Sequence, residues 1–265
     1  MCSSDLLRPA FLPEWLMRWT RDFHLLLTLM TDWLETVVCR YQDRVREWET
    51  TAGAHAADWL PMDPSQRVLL VSRLTEVAAD VAPGFRVAVG VDQPFCEDST
   101  LAGRAFSPFA SIDSMSRAPV SFSALSLEAA FGYSPGGTYC RSLAEFSRML
   151  DHFGEFGLPI WLKLFHPSGE AAAGRNGDGR VCTGQAGVWR RTPDPQLQAE
   201  WLEQAVQIAL SKPFVERISS GNFQDAPERH WPLAGLCDDQ GRPKPALERV
   251  QRLIAEAERA ESLRD

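Results

Sequence analysis

Short, nearly all-apolar runs alternate along this chain with segments whose apolar residues recur every three or four positions. Phe85-Arg-Val-Ala-Val-Gly-Val91 lies between the breakers Pro83-Gly84 and Pro94, and residues 158–165 read Leu-Pro-Ile-Trp-Leu-Lys-Leu-Phe. A strand apolar at consecutive positions is covered on both faces, as in a parallel sheet wrapped by helices. Residues 45–51, 122–131 and 215–220 complete a set of five strands. The helical stripes fall between them. One runs from Trp15 through Trp19, Phe23, Leu26, Met30, Leu34 and Val38 to Tyr41, as one long helix or two in series. A second opens at Asp63-Pro64, and others cover 142–153, 196–211 and 246–263. Residues 92–121 read as a polar loop containing Asp113 and Pro119, and the glycine-rich stretch 166–188 as a surface loop. Strand and helix therefore alternate as in an α/β fold.

Composition narrows the function classes. The chain has 265 residues, 45% apolar and 23% charged, an ordinary globular balance. Its formal charge of −8 offers no basic footprint for nucleic acid. No apolar stretch is long enough for a membrane span, and the start lacks the pattern of a secretory signal, so the chain as written is expected to be cytoplasmic and to have no membrane partner. Six scattered cysteines without C-x-x-C spacing read as free thiols rather than as a zinc site or disulfide framework. No nucleophile elbow and no phosphate-binding glycine loop occurs, and neither a metal nor a cofactor is expected.

The C-terminal residues are the most specific. Gln198-Ala199 open a helix, Asp225 follows a strand, Trp231-Pro-Leu forms a turn, and Pro243-Lys-Pro-Ala246 leads into the last helix. In that order and spacing they resemble the last two βα units of glycoside hydrolase family 10, the endo-1,4-β-xylanase family. Upstream, Phe11-Leu-Pro-Glu-Trp-Leu16 is similar to the loop after the family's third strand, and Val37-Val-Cys-Arg-Tyr41 with Trp48-Glu-Thr-Thr-Ala-Gly53 to its fourth unit. The resemblance implies a TIM-type (β/α) barrel, incomplete, with residues 1–265 forming a single partial barrel of strands four to eight and the first three units missing. Sheet edges left open in that way are expected to promote self-association.

The resemblance also implies a chemistry, and the residues that would carry it are changed. Retaining hydrolysis needs two carboxylates about 5 Å apart. The family's acid/base position corresponds to Gly53, and its nucleophile position to Leu164, with Lys163 before it. The tryptophan that lines the family's sugar site corresponds to Gly221. The expected function is therefore a catalytically degenerate, glycan-binding or vestigial module whose partner is an oligo- or polysaccharide. The alternatives are an active glycoside hydrolase with relocated carboxylates, Glu128 as nucleophile and Glu97 as acid, and a truncated fragment without function. Glu97 follows the predicted strand 85–91 and Glu128 stands at the end of the strand 122–131, where barrel enzymes place their catalytic groups. Asp92, Asn222, Asp225, Trp59 and Trp231 are the substrate-binding candidates, with Trp189 a further aromatic in a loop. Trp15, Trp19 and Trp33 read as core.

Overall fold

A computed structural model describes residues 2–3, 14–51, 62–97, 107–118, 122–170, 174–175, 181–182, 186–226 and 231–262. The five predicted strands are present as β2 (Glu47–Thr51), β3 (Arg86–Val91), β4 (Ala124–Ala130), β5 (Ile160–Phe165) and β8 (Val215–Ser220). A further two-residue strand, β1 (Cys2–Ser3), pairs in parallel with β2. The sheet runs β1-β2-β3-β4-β5-β8 and is open, and β6 (Gly174–Arg175) and β7 (Val181–Cys182) form a separate antiparallel pair in the glycine-rich loop.

The chain divides into two compact units, one of residues 1–128 and 156–160, the other of 129–155 and 161–265. In the first, α1 (Glu14–Met17) is separated from α2 (Phe23–Tyr41), and the Asp22 side chain caps α2 by accepting from the Leu25 N–H at 3.1 Å. Leu26, Met30, Leu34 and Val38 form the buried stripe of α2. Trp15, Trp19 and Trp33 are instead exposed at 48%, 46% and 38%, because the break after α1 and the narrowness of that stripe leave them off the covered face. Helix α3 (Pro64–Val81) starts with proline in its first turn and a reciprocal capping box between Asp63 and Gln66. Helix α4 (Pro108–Arg117) replaces part of the loop expected around Asp113. Its buried stripe is Pro108, Ser111, Ile112 and Met115, and the serine and proline in it mask the apolar period.

In the second unit, α5 (Leu143–Gly154) begins with a Ser142–Glu145 capping box, and α6 (Pro195–Leu210) with Asp194 accepting from Leu197 N–H at 2.7 Å. Helix α7 (Pro245–Ser262) closes the described chain. Among the described residues no helix is long and apolar enough to cross a membrane.

Candidate functional site

Strand alternation decides which residues of the first unit can meet a ligand. Thr50 approaches Thr75 of α3 at 3.5 Å, so it faces the helices and its neighbour Glu49 faces away from them. Glu49 is 2% exposed, and its Oε2 accepts from the Ser126 hydroxyl of β4 at 3.0 Å. The carboxylate spans the intervening strand β3, where Ala88 pairs with both Glu49 and Ala124, and Gly90 pairs with Ser126. Small residues at these positions leave the space that the Glu49 side chain crosses.

Two positions beyond Ser126 on the same face stands Glu128, 8% exposed. The last register pair of β3 and β4 is Val91 with Leu127, so the next step sets Asp92 beside Glu128. Neighbouring strands are about 4.8 Å apart, so the two residues stand at the C-terminal ends of adjacent strands. Gln93 and Cys96 then adopt left-handed backbone conformations, with φ of 47° and 54°, in the tight turn that carries the chain to the half-buried Glu97. Held strain of this kind concentrates at ligand sites.

The second unit presents a different face. Leu164 lines a cavity with Leu202 and Val206 of α6 and Leu247 and Val250 of α7, so it points to the helix layer. Lys163 and Phe165, on either side of it, therefore face the opposite way, and both are buried. Phe165 packs with Ala130, Tyr133, Trp231 and Ala234. Its ring fills the space next to Gly221: a Cβ there would stand 2.2 Å from the Phe165 Cζ.

Behind this cluster lies a buried polar network. The Lys244 Nζ meets Asp225 Oδ2 at 2.5 Å and donates to the Ser168 hydroxyl at 2.8 Å, and Asp225 Oδ1 accepts from Gly235 N–H at 2.8 Å. Gln198 donates to the carbonyls of His166, Leu233 and Gly235. The His166 ring stacks on Trp201 with centroids 5.0 Å apart, and its Nδ1 lies 3.0 Å from the Pro167 carbonyl, which fixes the proton on that nitrogen. Burial pushes the His166 pKa down to about 4.

No protein-family model and no curated protein matches the sequence. Solved structures do match. The native xylanase 10B of Thermotoga maritima is similar with a TM-score of 0.62 at 16% identity, over 88% of this chain and 68% of its own. A family 10 xylanase of Thermobacillus composti gives 0.59 at 19% identity, over 91% and 72%. The xylanase 10B of Thermotoga petrophila in complex with xylobiose gives 0.59 at 16% identity, over 88% and 66%. The fold is that of the family 10 xylanases. This chain spans 66% to 72% of the length of these three xylanases.

Within this xylanase-like fold the sequence-derived positions can be placed. Gly53 and Trp59 lie outside the described residues. Leu164 had been matched to the nucleophile position, but it faces the helices; a shift of one residue exchanges the two faces of a strand. The inward positions next to it are lysine and phenylalanine, and β5 carries no acidic residue at any of its positions. Asn222 donates to the Trp231 carbonyl at 2.8 Å, Asp225 is paired with Lys244, and Trp231 is 2% exposed with its ring against Tyr133 and Phe165. These three hold the loop after β8, and the xylanase-like Pro243-Lys244-Pro245 segment supplies the cation for it. Trp189 is likewise buried, at 7%, with the Arg190 guanidinium 4.2 Å from its ring centre. Glu49 was not among the sequence candidates, and β2, which reads Glu-Trp-Glu-Thr-Thr, carries no local signal that singles it out. Among the described residues no group of three or more His, Cys, Asp or Glu is placed to hold a metal ion.

Proposed function

We propose that this chain is a glycan-binding barrel that does not hydrolyse its ligand, an oligo- or polysaccharide. The observation that carries the reading is the absence of any carboxylate from β5, combined with the fold. Glycoside hydrolysis needs two carboxyl groups flanking the scissile bond. Asp92 directly after β3 and Glu128 near the end of β4 stand at the C-terminal ends of adjacent strands. Carboxyl oxygens at such strand ends can accept hydrogen bonds from the hydroxyls of a sugar ring. The Phe165 ring supports the same reading, since it leaves no room at Gly221 for a stacking side chain.

Isothermal titration with xylotetraose, followed by chromatography of the mixture, tests this. Binding without cleavage is expected, with Asp92→Asn and Glu128→Gln each weakening it roughly tenfold, as loss of a charge-assisted hydrogen bond implies. Cleavage above trace level that disappears in Glu128→Gln would overturn the reading.

A second reading, an active glycoside hydrolase, is favoured by the burial of Glu128 at a strand end and by the strained turn leading to Glu97. It has Glu128 as nucleophile and Glu97 as acid. Hydrolysis lost in both Glu97→Gln and Glu128→Gln supports it, and hydrolysis unaffected by either variant excludes it.

A further inference from the structure

We draw no further inference here: the strongest candidate, the apolar cavity of about 240 Å³ on the helix side of β8 with the exposed Phe223 and Ile254 beside it, is an unpartnered apolar face, and nothing in the structure shows what covers it.

Discussion

The ring of Phe165 lies where a side chain on Gly221 would begin, 2.2 Å from the position of its Cβ. Gly221 comes directly after β8, and Phe165 is the last residue of β5, so two strand ends share one volume and only one of them can fill it. The aromatic mass sits on Phe165 and is locked by Tyr133 and Trp231.

Gly221→Ala should therefore destabilise the fold by about 1 to 3 kcal/mol through overpacking. Phe165→Ala should cost about 3 to 5 kcal/mol as a cavity. In the double variant the new methyl group enters the vacated space, so the combined loss should be smaller than the sum of the two. Urea unfolding of the four proteins measures the coupling, and additive losses would show that the two positions do not share the volume.

The ion pair of Lys244 with Asp225 gives a second prediction. Both side chains are 8% exposed, and the lysine is shared with the Ser168 hydroxyl. Removing one partner leaves the other charge buried without its counter-ion, which costs about 3 to 5 kcal/mol. Lys244→Met should lose that much in denaturant unfolding, and Asp225→Asn a similar amount, because Gly235 N–H still has an acceptor but the ammonium has lost its charge partner. A loss below about 1 kcal/mol in both would show that the network does not hold the loop after β8.

How far these contacts could be read from the sequence depends on the kind of pattern that encodes them. Strands β3 and β5 were legible because each is a short apolar run, and most helices because their stripes are long and capped by Asp63, Ser142 or Asp194. Helix α4 was not, since serine and proline occupy half of its buried face. The two-residue β1 is too short to show a period. The site was less legible than the fold. Glu128 could be proposed from its place near the end of a strand and Asp92 from its place after one, but how the two strands align depends on the register of β3 with β4, which no local pattern states. The direction of Leu164 depends on one residue of strand phase, and a motif match at low identity does not fix that phase. Trp231 looked available because it lies beside a loop, yet long-range packing buries it.

Ser126 and Glu49 provide a third test. The hydroxyl donates to a carboxylate that is 2% exposed, across β3. Ser126→Ala removes one hydrogen bond to a charged acceptor and should cost about 1.5 to 3 kcal/mol. Ser126→Thr keeps the donor and should recover part of it. Equal stability of the alanine and threonine variants in urea would show that the hydroxyl contributes nothing to holding Glu49.

The buried His166 links stability to pH. Its folded-state pKa is lowered from 6.5 to about 4 by burial, with the hydrogen bond to Pro167 acting in the opposite direction. Between those two values the unfolded chain binds a proton that the folded chain does not, so stability must rise with pH across that window and fall as the solution is acidified from 6.5 towards 4. A gap of this size corresponds to roughly 3 kcal/mol once both limits are passed. Protonation would place a cation on the ring stacked against Trp201, at an Nε2 that has no hydrogen-bond partner among the described residues. His166→Asn retains an N–H that can reach the Pro167 carbonyl and removes the titration. It should be less stable than the wild type at pH 7, through lost stacking, and should show a flatter dependence between pH 6.5 and 4. Urea midpoints at half-unit steps of pH measure both slopes, and identical slopes for the two proteins would remove His166 as the cause.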